Sequence, residues 1–234
     1  MLPKGISLAR ALDYGASAIG RTRSSRQSAL HAHRYSMRIP LSIFTALVLS
    51  SLSLAAKEKL FDGATFAGWE GDTKSTWRIV DGAIVGGSLT ETVPHNEFLA
   101  TTKSYSDFEL RLKFRLIGRD GFINAGIQFR SERIPEHFEM IGYQADLGEG
   151  YYGSLYDESR RNKVLAAADT KALAPVLKIG EWNEYRIRCE GPRIQLWING
   201  VQTVDYTEPD PGISQSGKIA LQIHGDGKAE VSCG

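Results

Sequence analysis

Between Phe108 and Ile117 the chain alternates without a break. Phe108, Leu110, Leu112, Phe114 and Leu116 fall on one parity, and Glu109, Arg111, Lys113 and Arg115 on the other. Successive side chains of a strand point to opposite faces, so this pattern fits a half-buried β-strand and no helix. The same period of two runs through most of the sequence after Trp77. TWRIVDGAIVGG reads as a hairpin turning at Asp81-Gly82, and Asn199-Gly200 is the strongest hairpin signal, because such dipeptides tolerate φ > 0. NAGIQFR sends Ala125, Ile127 and Phe129 inward and Asn124, Gln128 and Arg130 outward. EYRIRCEGPRIQLWINGVQTVDY gives three strands and KIALQIHG another. A single short helix is expected around 171–177, limited by Pro175. Short strands at regular spacing predict an all-β fold, an antiparallel jelly-roll sandwich.

The first 55 residues stand apart. Residues 1–36 carry Lys4, Arg10, Arg21, Arg23, Arg26 and Arg34 against Asp13 alone, and read as a non-native upstream extension. Met37-Arg38, the uncharged run that follows and the small residues Ser53 and Ala55 read as a signal peptide over 37–55. Four serines and Pro40 dilute that run, so a stable membrane anchor is not expected. The expected location is secreted or periplasmic, with a single domain over 56–234. That part keeps 21 Lys and Arg against 26 Asp and Glu, about −5, which argues against nucleic acid as a partner. Cys189 shares parity with Tyr185 and Ile187 and reads as a core filler; with Cys233 it makes one conceivable pair and no disulfide framework.

The segment GYQADLGEGYYGSLYDESRRNKVL, residues 142–165, carries more chemistry than a turn requires. Tyr156, Asp157, Glu158, Arg160 and Arg161 crowd together there, and ordering such side chains costs entropy without filling a core. Strand parity adds Gln128 and Arg130, Gln144 and Asp146, and Gln222 and His224 as one polar face drawn from three strands. Any one of these residues reads as solvated surface. Together with the loop they read as a cleft. Asp146 and Asp157 are the preferred carboxylates. His224 reads as a base, a metal ligand or a structural hydrogen-bonder. Arg130 and Arg160 suit an anionic or carbonyl oxygen. Tyr143, Tyr152 and Trp197 offer ring faces for stacking on a ligand ring. No metal motif of strong spacing is present, and a divalent cation such as calcium at Asp146, Asp157 or His224 is left open.

LFDGATFAGW, WRIVDGAIVG, DFELRLKFR, NAGIQFRS, GSLYDESRR, GEWNEYRI, WINGV and ALQIHG, in this order and spacing, resemble the 3-keto-disaccharide hydrolase domain family. The resemblance covers roughly residues 60–230. It implies a concanavalin A-like jelly roll and an exported hydrolase acting on 3-keto-disaccharides or 3-keto-glycosides by elimination and hydration. The catalytic set is then expected to be Asp146, Asp157, His224 and Arg160. Gln128, Arg130, Tyr143, Gln144, Tyr156, Arg161 and Gln222 are expected to bind the carbohydrate. The alternative is a lectin-like binding module without catalysis. Two departures bear on the choice. Many relatives carry an acid two positions before the glutamine matching Gln144, where this chain has Gly142. Relatives also end in a further strand of the form F-x-N-I-x-I, which AEVSCG does not resemble, so a C-terminally truncated domain with an exposed edge is expected.

Overall fold

The computed structural model describes residues 57–234; the extension and signal peptide read over 1–55 lie outside the described residues. The chain runs β1 (Trp69–Glu70), β2 (Trp77–Val80), β3 (Ala83–Gly87), β4 (Glu97–Thr101), β5 (Phe108–Gly121), β6 (Asn124–Arg133) and β7 (Met140–Gly148). Then follow β8 (Leu155–Glu158), β9 (Lys163–Ala166), the short helix α1 (Thr170–Leu173), β10 (Asn183–Glu190), β11 (Arg193–Ile198), β12 (Val201–Thr207), β13 (Lys218–Ile223) and β14 (Gly227–Cys233). They form two seven-stranded antiparallel sheets. The first has the order β1-β4-β13-β6-β7-β8-β9, the second β12-β11-β10-β5-β14-β3-β2.

The alternation of the sequence becomes the layer between the sheets. Leu99, Ile127, Phe129, Tyr143, Leu147, Leu155 and Ile223 from the first sheet meet Trp77, Phe114, Leu116, Tyr185, Ile187, Leu196 and Val231 from the second. Each large side chain buried there contributes about 2–3 kcal/mol relative to leaving it in water. α1 starts one residue earlier than the expected span and ends sooner, its first turn capped by the Asp169 carboxylate on the amides of Lys171 and Ala172.

Two sequence expectations fail here. The ending does form a strand, β14, which pairs with β5 on one side and β3 on the other, inside the sheet and away from its edges. Its inward residues are the small Ala229, Val231 and Cys233, a muted form of alternation. Cys189 and Cys233 are both buried in the core and both free thiols. Arg130 also leaves the face to which parity assigned it. A bulge between Phe129 and Glu132 shifts the β6–β7 register, and Arg130 sits at φ 48°. Its guanidinium turns to the carbonyls of Ser106 and Gly191 and to the Asp107 carboxylate, at 2.8–3.2 Å. It clamps the chain entering β5 to the end of β10 and takes no part in a ligand face.

The β11–β12 turn carries φ 48° at Asn199 and 83° at Gly200, as its dipeptide requires. Nothing lies within 4 Å of where a Gly200 side chain would start, so backbone conformation alone opposes one. Gly200→Val should therefore destabilise the fold by about 1 kcal/mol or more. Thermal or chemical denaturation checks it, and an unchanged midpoint would contradict the turn assignment.

Candidate active site

The outer face of the first sheet, turned away from the core, is a polar trough. Register builds it row by row. Gln128, Gln144 and Tyr156 lie side by side across β6, β7 and β8; Gln222, Gly126 and Asp146 lie across β13, β6 and β7. The Gln144 side chain crosses the space over Gly126, where a Cβ would stand 2.4 Å from its Cδ, so only glycine fits beneath it. Gln128 Nε2 lies 3.4 Å from Gln144 Oε1, and Gln144 Nε2 donates to Asp146 Oδ1 at 2.8 Å. Gln128 and Gln222 are fully buried, yet Gln128 Oε1 and both polar atoms of the Gln222 amide have no hydrogen-bond partner among the described residues. Beside them Phe98, Ala100, Met140 and Ala220 form a small apolar cluster.

The trough opens into a cavity of about 140 Å³ lined by Phe122, Asn124, Gln144, Asp146, Tyr151, Tyr156, Glu158 and His224. Phe122 stands edge-on to both His224 and Tyr151, with ring centroids 4.8 and 6.1 Å apart. His224 Nδ1 lies 3.0 Å from the Gly225 carbonyl. A carbonyl only accepts, so Nδ1 carries the hydrogen and Nε2 of the neutral ring keeps its lone pair. Burial pushes the Asp146 carboxyl up to about 7, against the opposing hydrogen bond from Gln144. Burial, reinforced by the nearby Glu139 charge, also lifts Glu158 to about 7. Two carboxyls that hold their protons near neutrality thus share one cavity with an imidazole.

The four residues of β8 sort the loaded segment between two faces. Tyr156 and Glu158 point into the trough, while Leu155 and Asp157 point the other way. Asp157, fully buried, is held by Arg160 at 2.6 Å and by Arg161 in a very short contact. Arg161 makes a two-pronged pair with Glu208 at 2.7 and 3.1 Å, and the Tyr143 hydroxyl donates to the same carboxylate at 2.6 Å. Burial opposes ionisation of Glu208, but the hydrogen bonds from Arg161 and Tyr143 prevail and hold it at about 2. The Arg160 guanidinium lies 4.7 Å above the Tyr143 ring. Tyr143 itself belongs to the core.

The expectation that the loop would set Asp157 and Arg160 against Asp146 and His224 is therefore corrected. Asp157, Arg160, Arg161 and Tyr143 form a structural ion network on the opposite side of β8, because a strand cannot present adjacent residues to one face. Asp157, one of the three residues at which a cation was left open, lies on the other side of β8 from Asp146 and His224. Among the described residues no three His, Cys, Asp or Glu side chains stand together as metal ligands. Tyr152 packs on Phe114 in the core, and Trp197 lies under Arg186 on the outer face of the other sheet. Asp146, Gln128, Gln144, Tyr156, Gln222 and His224 do gather. Glu158, Phe122 and Asn124, none of them among the expected catalytic or binding residues, complete the cavity, although the parity of Tyr156 already implied Glu158.

A family model described as a 3-keto-alpha-glucoside-1,2-lyase-like domain matches residues 56–232. The chain belongs to this family. Its sandwich is similar to a structure assigned as a glycosyl hydrolase from Parabacteroides distasonis ATCC 8503, at 23% identity and TM-score 0.54, over 74% of this chain and 88% of that one. It is also similar to the carbohydrate-binding module CBM66 from Bacillus subtilis, at 17% identity and TM-score 0.55, over 70% and 91% of the two chains. The potassium-bound Emp46p carbohydrate recognition domain aligns at 12% identity and TM-score 0.51, over 77% and 90%. At these identities the likenesses establish the lectin-like jelly roll. The comparison with curated proteins returns no match.

Within this 3-keto-glucoside lyase-like domain the position of Gly142 becomes intelligible. Gly142 adopts φ 155°, and a Cβ there would stand 2.1 Å from Ser131 Oγ, so an acid does not fit without displacing its neighbour. Directly opposite Gly142 across the β7–β8 ladder is Glu158. Paired residues of an antiparallel ladder share a face. A carboxyl thus reaches the Gly142 row from the adjacent strand.

Paired denaturation measurements separate the two carboxylate environments. Asp157→Asn leaves two guanidinium groups short of a partner, and should cost about 2–3 kcal/mol, at or just below the range of about 3–5 kcal/mol for a broken buried pair because both arginines keep some solvent. Asp146→Asn should behave differently. A carboxyl raised in the folded state contributes stability below the unfolded value near 4 and loses it as pH rises through about 7. The amide does not titrate, so the variant should gain on the wild type by about 1 kcal/mol or more between pH 4 and pH 8. A difference independent of pH would contradict the buried, protonated state.

Proposed function

We propose that the domain is an exported carbohydrate-active enzyme that cleaves 3-keto-glycosides or 3-keto-disaccharides by elimination. The supporting observation is one cavity that holds His224, with a free Nε2, beside two carboxyls kept protonated near neutrality. A ketone at C3 of a sugar acidifies the C2 hydrogen. His224 takes that proton. The C2–H electrons pass to the enolate, then form the C1–C2 double bond as the C1–O bond breaks. Glu158 gives its proton to the departing oxygen. Water then adds across the double bond: its oxygen bonds to C1 as Glu158 takes back a proton from it, and the protonated His224, after exchange with solvent, gives a proton to C2, which completes net hydrolysis and restores both groups. Asp146, as a buried neutral acid, donates to the enolate oxygen, where a preorganised donor in a dry site acts most strongly. Two carboxylates flanking an anomeric carbon are a different device, the one that direct glycosidases use.

The proposed substrate is a carbohydrate; among the described residues no helix is long and apolar enough to cross a membrane. Export rests on the pattern of residues 37–55, and N-terminal sequencing of the protein made from Met37 should find Ala56 or Lys57 first. A product that keeps its leader would contradict export.

Turnover of a chromogenic 3-keto-glucoside tests the chemistry. Glu158→Gln and His224→Ala should each lower kcat about a hundredfold or more, near 2.7 kcal/mol in the barrier, and Asp146→Asn about tenfold. Full activity in the Glu158 and His224 variants would overturn the assignment. Binding of the 3-keto sugar without turnover by the wild type would favour the lectin-like module, the reading that Gly142 suggests.

A further inference from the structure

We infer that Glu139 is a positioning residue of this trough, which ties the His224 turn and the Glu158 strand into one frame and acts on Glu158 through its charge. The inference rests on the reading of Glu158 and His224 as the reacting groups. Glu139 lies in the β6–β7 connection, one residue before β7, and lines no part of the cavity. Its Oε1 accepts from Asn96 Nδ2 at 3.0 Å. Asn96 Oδ1 in turn accepts from the Gly225 amide at 3.1 Å, and the Gly225 carbonyl accepts from His224 Nδ1. The other oxygen, Oε2, lies 3.4 Å from the hydroxyl of Ser159, the residue that follows Glu158. One carboxylate therefore spans from β8 to the β13–β14 turn, with Asn96, just before β4, as the intermediate.

The approach at the turn is tight. A Cβ on Gly225 would stand 3.1 Å from the His95 Cα, so the Gly225 backbone packs closely against the His95–Asn96 segment. On β8, Ser159 adopts φ 55° and its amide donates to Asn162 Oδ1, which fixes the turn just beyond Glu158. Asn96 and Ser159 hydrogen-bond to Glu139, and the titratable groups near enough to act on it are Glu158, His224 and His137, the last in its own connection. Those that act on Glu158 are Glu139, Asp146 and Asp157, the last beside it on its own strand. A merely structural bridge between Asn96 and Ser159 would not need a carboxylate, because a glutamine offers the same acceptor to Asn96. A negative charge near Glu158 adds something an amide does not: after burial, it is the next cause that disfavours loss of the Glu158 proton.

Glu139→Gln separates the two roles, since it keeps an acceptor for Asn96 and removes the charge. The alkaline limb of kcat/KM, where the acid Glu158 loses its proton, should move to lower pH by about one unit, with KM within about twofold. Glu139→Ala should lower kcat at every pH, because the frame itself is lost. A ¹³C titration of the glutamate carboxyls, with Glu158→Gln used for assignment, should show the Glu158 midpoint falling in Glu139→Gln. An unmoved limb and an unmoved midpoint would overturn the inference and leave Glu139 a structural bridge. If the wild type shows no turnover, the proposed chemistry fails on its own, and the carboxyl titration decides the influence of Glu139.

Discussion

Alternation along four residues, Leu155 to Glu158, decides which face each charge of this protein serves. Leu155 enters the core, Tyr156 the trough, Asp157 the ion network and Glu158 the trough again. No side-chain adjustment can exchange Asp157 for Glu158, because a register slip of one residue would expose Leu155 and bury the opposite set. The division of labour is thus enforced by the apolar packing between the sheets.

The two sides of β8 solve the burial of charge in opposite ways. Arg160 and Arg161 pair with Asp157, and Glu208 remains ionised because Arg161 and the Tyr143 hydroxyl surround it with donors. Such a network is costly to assemble but more costly to break. It joins β8 to the chain just beyond β12 and pins the strand that carries Glu158. Asp146 and Glu158 have no cation, and burial drives them toward their neutral forms. A fixed neutral acid can donate a proton or a hydrogen bond near pH 7, which a solvated carboxylate cannot.

Most of the fold was legible because it rests on period two and on turn dipeptides. Phe108–Leu116, Asp81-Gly82 and Asn199-Gly200 needed no information beyond their neighbours. What failed required knowledge of pairing. Arg130 obeyed parity until a bulge turned it toward Ser106 and Gly191. Residues 229–233 gave a weak signal because their core side chains are small, although they occupy the middle of a sheet. At the site, Gln128, Gln144, Asp146, Gln222 and His224 follow from parity within single strands. Asp157 and Arg160 were drawn by their local density of charge, and the partner that removes Arg161 from the cavity, Glu208, lies 47 residues further along the chain. Glu158 was accessible in principle, being two residues from Tyr156 and therefore on its face.

The central claim is that this trough removes the C2 proton before the glycosidic bond breaks. The most direct measurement is turnover of a 3-keto-glucoside in D₂O, with the released 3-keto sugar examined at C2 by NMR and mass spectrometry. Sugar held in the same solvent without enzyme serves as the reference. Elimination followed by hydration predicts one solvent deuterium at C2 in every product molecule from the first turnovers. Product that keeps its original C2 hydrogen would mean direct displacement at C1 and would contradict the account.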